Sequence, residues 1–388
     1  MRHGSWLRFL LLSNERNSCM PTTVLSRALA RQRRDLLPTM LSPAADVIDL
    51  GGDDLEGATP PDVRAAVITA MEDHECDHYT RRPGLAPLCQ AVTDFLGDFG
   101  VEINPNDGVV ITGGVQEARF VALRALASGK SVYLPQPGPT IPYRAAAQFA
   151  GATLHYFDPE GELPLAHEGV LVLANPNPAT GQVVPGRTMD RLAAWINESD
   201  LTVVADETAA PLLRSGVLYA PFASWPGMGD VVVTLGSFAW TPGLDAWQVA
   251  WLAGPRRLTT DLRDLKQAIT ICSPAASQYA ALAGMKQRNH DPRARDEQHV
   301  EAVCALLDRL QIPYAEPHTV AFVLADTRTL GDDAAVVAEA LRYGLRLVAG
   351  STFGMSGTIR ITATGRRLHE GLDRLEQVFM ALKQEPRR

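Results

Sequence analysis

Val109-Val110-Ile111-Thr112, the turn Gly113-Gly114, a helical pattern beginning at Val115, and then Ser131-Val132-Tyr133-Leu134 decide how this chain folds. A β-branched run, a glycine turn, a helix and a second apolar run spell a strand, a crossover and a neighbouring strand. The phrase repeats. Further runs are Ala152-Thr153-Leu154-His155-Tyr156, Val170-Leu171-Val172-Leu173, Leu201-Thr202-Val203-Val204, Val231-Val232-Val233-Thr234 and Val249-Ala250-Trp251-Leu252. They are nearly all apolar instead of alternating, as strands covered by helices on both faces must be. An α/β fold with a mostly parallel sheet between helices is predicted. In such sheets ligands gather beyond the carboxyl ends of the strands, so the residues just after each run are the ones to inspect.

The last third changes character. Helical stretches over 293–310, 333–344 and 367–384 alternate with strand candidates Ala321-Phe322-Val323-Leu324 and Thr358-Ile359-Arg360-Ile361, which predicts a smaller α+β domain. The expected organisation is a flexible extension over 1–19, with Met20 a second possible start, and an N-terminal segment over 20–65 that packs on the small domain. A large α/β domain over 66–258 follows, then a connecting helix and the small C-terminal domain over 259–388.

Composition narrows the function classes. The 388 residues are 46% hydrophobic and 21% charged, which argues against disorder and low-complexity architectures. A net charge of -8, from 44 acidic and 36 basic residues, provides no field for nucleic acid or an anionic membrane. No stretch approaches 18 uninterrupted apolar residues, and Phe9-Leu10-Leu11-Leu12 is too short for a signal segment. Five widely spaced cysteines (Cys19, Cys76, Cys89, Cys272, Cys304) form no C-x-x-C pair and no metal-ligand pattern, so reduced thiols, a cytoplasmic setting and no metal are expected. Only four of the basic residues are lysine, Lys130, Lys266, Lys286 and Lys383. Chemistry that needs an amine has few candidates.

At the strand ends the sequence resembles the class I/II aminotransferases, the fold-type-I pyridoxal-phosphate (PLP) family, from about residue 48 to 380. Leu50-Gly51 through Thr59-Pro60 is similar to the family's N-terminal glycine loop, and Tyr79 with Gly84-Leu85 to its tyrosine-to-glycine helix start. Thr112-Gly113-Gly114-Val115 resembles the phosphate cup, and Pro135-Gln136-Pro137-Gly138 the loop of the ring-stacking aromatic. Asn175-Pro176 through Thr180-Gly181 resembles the asparagine-proline-threonine-glycine turn, and Ala205-Asp206-Glu207 the strand end with the pyridine aspartate. Gly236-Ser237-Phe238-Ala239 stands where the lysine signature begins, and Gly350 to Arg360 resembles the segment of the substrate-carboxylate arginine. The resemblance implies a large domain, a smaller α+β domain and a homodimer whose sites are completed across the two-fold, with Tyr79 reaching the neighbour.

The same comparison exposes departures. The resemblance implies a Schiff-base lysine after Ser237-Phe238-Ala239, where this chain has Trp240. Indole can donate a hydrogen bond but is neither nucleophile nor base. Eight residues on, where the family has an arginine for the cofactor phosphate, stands Gln248; Pro178, Ala209 and Pro139 replace other ring contacts, with Asn177 one residue from the lost asparagine.

Candidate roles follow. Gly113, Gly114 and Val115, at a helix N-terminus, offer backbone donors to an anion, although a tight strand-to-helix turn explains the glycines equally. Asp206, without a pyridinium partner, is expected to have a raised pKa and serve as general acid or base, unless a nearby donor pairs with it. Arg360 suits a substrate carboxylate, Ser237 a local backbone bond or a ligand, and Trp240 a stacking face in the ring position. Asp245 and Asp53 are further acid/base or binding candidates, and Gln248, Asn177 and Tyr79 complete the substrate-binding set.

Three readings remain open on the sequence. The first is an aminotransferase-like protein that has lost Schiff-base chemistry and uses the pocket for cofactor-independent condensation, cyclisation or elimination of an amino-acid-like carboxylate. It carries no expected cofactor, with PLP or its amine form (PMP) only as a weak non-covalent ligand. The second is a non-catalytic ligand- or partner-binding homologue. The third is a PLP-dependent aminotransferase or lyase with a displaced lysine.

Overall fold

The computed structural model describes residues 46–52, 57–138, 140–166, 168–239, 241–286 and 294–384. Asp53, Pro139, Trp240 and the expected extension over 1–19 lie outside the described residues.

The apolar runs become a seven-stranded sheet of β2 (Val109–Thr112), β3 (Ser131–Pro135), β4 (Thr153–Phe157), β5 (Glu168–Ala174), β6 (Asp200–Asp206), β7 (Val232–Ser237) and β8 (Ala250–Ala253). Their spatial order is β2-β8-β7-β6-β5-β3-β4. The β4-β3, β3-β5, β5-β6 and β6-β7 pairs are parallel, and β8 runs antiparallel to both β7 and β2. Every residue of β2 is buried because both faces are covered. Val109 and Ile111 join one core with Leu171, Val203 and Trp251. Val110 joins the other with Val132, Val172 and Val204. Alternate side chains of one strand therefore feed two cores, which is why the sequence reads apolar throughout.

The helices are α1 (Pro61–Glu72), α2 (Ala86–Gly97), α3 (Val115–Leu126), α4 (Thr140–Ala150), α5 (Gly186–Asn197), α6 (Arg256–Ile269), α7 (Ala275–Met285), α8 (Ala294–Arg309), α9 (Asp333–Arg342) and α10 (Leu368–Gln384). Among the described residues no helix is long and apolar enough to cross a membrane. One packing detail positions the site. Gly236 on β7 faces Trp251 on β8, and a Cβ there would lie 2.0 Å from the indole. The Trp251 Nε1 donates to the carbonyl of Ser237 at 3.3 Å, so this tryptophan fixes the end of β7 from inside the core.

The smaller part carries a three-stranded antiparallel sheet, β11 (Val348–Ala349), β12 (Thr358–Thr362) and β9 (Phe322–Asp326). β1 (Ile48–Asp49) pairs in parallel with β10 (Leu345–Arg346), bringing the start of the described chain against the C-terminal third. Ile48 and Leu50 are buried in the same cluster as Val323, Ile359 and Phe379.

Candidate active site

A cavity of about 280 Å³ opens beyond the carboxyl ends of β6 and β7, beside the start of α3. Topology puts it there: Thr112 ends β2, Gly113-Gly114 turn the chain, and α3 begins at Val115 with its free N–H groups toward the opening. Gly114 adopts φ +90°, open to glycine and costly for other residues, and a Cβ on it would come within 2.7 Å of Gln248 Oε1. Gln248 itself sits at φ +51°, closing a short 3-10 turn, Asp245–Trp247.

Five of the predicted site residues meet in this cavity: Gly114, Val115, Ser237, Asp245 and Gln248. Ser237 Oγ donates to the carbonyl of Thr208 at 2.8 Å, so the hydroxyl ties the end of β7 to the loop after β6. The Gly113 amide donates to the carboxylate of Glu117, one turn into α3. Glu117 also accepts from Thr270 Oγ1 at 3.0 Å. A carboxylate of the chain itself thus caps part of the predicted anion cup.

The others lie apart. Asp206 is buried, but the side chain that lines the cavity in front of it is Arg119. Arg119 Nε and Nη2 donate to Asp206 Oδ2 at 3.0 and 2.9 Å, and Tyr143 Oη donates to the same oxygen at 2.7 Å. Oδ1 accepts from Thr208 Oγ1 at 2.6 Å and from its amide at 3.2 Å. The expected rise in pKa is therefore corrected: burial pushes Asp206 up, but the Arg119 charge and the bonds from Thr208 and Tyr143 prevail and hold it below the usual carboxylate range. Burial works against the Arg119 charge too, and Asp206 and Tyr143 outweigh it, so its pKa is raised.

Arg360 and Asp206 are not the two polar ends of one open cavity. Arg360 is buried, its Nη2 donating to the carbonyl of Gly51 at 3.0 Å and its Nη1 to that of Pro178 at 3.2 Å. Its guanidinium lies over Phe322, 4.6 Å from the ring centroid, and Phe322 forms the cavity wall. Asn177 is committed to its own turn, donating to the Pro137 carbonyl at 2.8 Å and accepting from the Ala179 amide at 2.9 Å, and it lines a second cavity of about 320 Å³ instead. Tyr79 is 82% exposed on the surface.

Sequence reasoning missed Arg119, Tyr143, Thr208 and Glu117. For Arg119 the one available signal is its spacing of four from Val115, which stacks the two on one helix face. Among the described residues no group of His, Cys, Asp and Glu is arranged to hold a metal.

Does the cavity fit PLP? The α3 start with its glycine cradle suits a phosphate, and Phe238, Ala239 and Val249 form apolar walls for a ring beside the Thr208 and Ser237 edge. These parts fit. No lysine among the described residues lines the cavity. Lys266, the one buried lysine, donates from Nζ to the Thr270 carbonyl at 3.2 Å; burial lowers its pKa although Glu117 and Cys272 oppose the shift.

Comparison with known proteins places this geometry. The model of the family "Aminotransferase class I and II" matches residues 45–375. The chain is 24% identical over 369 residues to an aspartate aminotransferase of Pyrococcus abyssi, spanning 87% of this chain and 93% of that one. It is 26% identical over 337 residues to the arginine–pyruvate transaminase AruH of Pseudomonas aeruginosa, 81% of this chain and 84% of that one. The N-succinyldiaminopimelate aminotransferase of Mycobacterium tuberculosis superposes with a TM-score of 0.80 at 22% identity, covering 92% of this chain and 100% of that one.

Two expectations are overturned by these matches. The reading of lost Schiff-base chemistry with cofactor-independent conversion, and the expectation of no cofactor, are contradicted: over more than four fifths of the chain these relatives are named aminotransferases or transaminases, and the matching family is the one resembled above as PLP-dependent.

Proposed function

The chain belongs to the class I and II aminotransferases, and from that membership we propose that it is a PLP-dependent aminotransferase exchanging the amino group of a carboxylate-bearing amino acid with a 2-oxo acid. The observation that carries the reading is the family match over residues 45–375 on a chain whose cavity opens at the start of α3. PLP, when bound, supplies an aldehyde that takes up amino groups and a ring that draws electrons from the reacting carbon.

The chain's own residues would divide the work as follows. The amides at Gly114 and Val115 would hold the phosphate, with Gln248 beside them, its oxygen toward Gly114 and its amide donating to the Asp245 carbonyl, where a cation would grip harder. Ser237 and Thr208 fix the edge of the ring, and Arg119 with Asp206 behind it forms the far wall. Asp245, half-buried on the cavity rim, is the carboxylate placed to move a proton. Arg360, over the Phe322 ring of the wall, is the cation assigned to the substrate carboxylate. None of Lys130, Lys266, Lys286 and Lys383 lines the cavity, so no lysine is assigned the Schiff-base role here.

A homodimer belongs to the same reading, supported by the exposed Tyr79, Met71 and Ile68. The test is binding: PLP titrated into the purified protein should quench tryptophan emission saturably and be displaced by inorganic phosphate at high concentration. A linear, non-saturating response would count against the proposal.

A further inference from the structure

We infer that the second cavity, of about 320 Å³, is a binding site in its own right, and that it takes a small apolar amine in its ammonium form. Its lining shares no residue with that of the cavity at the start of α3, so the inference stands independently of PLP.

Topology opens the space. The chain leaves β3 for β4 on one side and β5 for β6 on the other, so the direction of winding reverses between β3 and β5. Beyond the carboxyl ends of strands at such a reversal, open α/β sheets take their ligands. Here the two strands also part early. β3 and β5 pair at Val132↔Val170 and Tyr133↔Leu171, whereas β5 stays paired to β6 as far as Ala174 and β3 to β4 as far as Pro135. Pro135 has no N–H with which to extend a ladder toward β5. Leu134, Val172 and Leu173, just past the last pair, wall the space that results, and Val184 with Leu192 of α5 completes the wall. Its volume lies in the range of small-molecule sites.

Chemistry then selects the occupant. Polar side chains of the lining are spent on the protein: Asn177 on the Pro137 carbonyl and the Ala179 amide, Thr180 on the Gln182 amide at 3.2 Å, and Thr188 on Glu160. The leucine, valine and proline walls are left to meet a hydrocarbon body. The mouth is different, because Asp158, Glu160 and Arg187 stand there, all exposed. Glu160 is engaged by Thr188 and lies 3.9 Å from Arg187. Asp158 accepts from the Glu160 amide through Oδ1 at 2.9 Å, and its Oδ2 takes no bond from any described residue. A carboxylate oxygen with open lone pairs at the edge of an apolar cavity suits a charged N–H donor. An anion would instead meet both carboxylates, with the guanidinium already beside Glu160.

The experiment titrates phenethylamine and its neutral counterpart phenylethanol into the purified full chain, read by calorimetry. The amine should bind saturably and at least about tenfold more tightly than the alcohol, the worth of one charge-assisted hydrogen bond. Asp158→Asn, at an exposed position, should abolish that difference by weakening the amine alone. Val184→Phe, which adds bulk to the wall, should weaken both probes, and Asp245→Asn in the first cavity should change neither. Should Val184→Phe fail to fold, the wild type and the two aspartate variants decide. Equal affinity for amine and alcohol, no saturable binding of the amine, or a loss in Asp245→Asn with none in Asp158→Asn overturns the inference. Each of these results leaves the aminotransferase reading to its own test.

Discussion

Arg119 covers Asp206: two guanidinium nitrogens reach one carboxylate oxygen at 3.0 and 2.9 Å, and the strand-end aspartate is screened from the cavity it would otherwise face. Asp206 is buried and Arg119 largely shielded, so the two are strongly interdependent. Removing one leaves an uncompensated charge, whereas removing both removes the desolvation cost as well.

Arg119→Met should therefore lower unfolding stability by about 3–5 kcal/mol, and Arg119→Met/Asp206→Asn should recover a large part of that loss. Urea unfolding of the two variants measures it. Additive losses in the double variant would show that the pair is not coupled.

Glu207, next in sequence, behaves in the opposite sense. Burial pushes its pKa up to about 8, although the Phe222 amide and Tyr219 hydroxyl donate to it at 2.7 Å. The folded form thus holds a proton that the unfolded chain, with an ordinary carboxyl, has released. Its contribution is fully present below the ordinary Glu pKa and is lost as pH rises toward 8, at up to about 1.4 kcal/mol per pH unit. Asp206, with its lowered pKa, works the other way and loses its contribution only as pH falls into the acid range. Stability measured between pH 5 and 8 should decline less steeply in Glu207→Gln than in the wild type, and an unchanged slope would place the titrating group elsewhere.

Gly236→Ala tests how the end of β7 is held. The added carbon would fall 2.0 Å from the Trp251 ring, so the indole or the strand must move, at a cost of roughly 1–3 kcal/mol or more. A fall in Tm together with a shift in tryptophan emission is the expected result, and an unchanged Tm would show that the two strands separate freely.

Gln248→Arg places a charged fork beside the start of α3. A charge-assisted bond of about 1.5–3 kcal/mol should tighten PLP binding by roughly ten- to a hundredfold, read by titration of tryptophan emission. No gain would move the phosphate site away from Gly114.

Much of this architecture is legible in the residues. Val109 to Thr112 and the runs of β3, β5, β6, β7 and β8 announce buried strands because both of their faces are covered, whereas β4, at the sheet edge, has no buried residue. The reversed direction of β8 is not legible, since Val249-Ala250-Trp251-Leu252 has the same composition whichever way it runs. Ile48–Asp49 and Leu345–Arg346 are too short to carry a period, and only their pairing across the chain makes them strands. At the site, Asp206 is found by its place at a strand end. Arg119 escapes notice because it looks like any arginine in a helix until α3 is laid beside β6. Arg360 is found, but its enclosure by Phe322 and Phe353 depends on side chains brought from distant segments.

Amino transfer with PLP is read by following a label from donor to product. The purified chain, supplied with PLP, a 2-oxo acid and a panel of 15N-labelled amino acids including aspartate and arginine, should produce the 15N amino acid corresponding to the 2-oxo acid, detected by mass spectrometry and absent when PLP is withheld. Binding of PLP without label transfer from any amino acid of the panel would contradict the assignment.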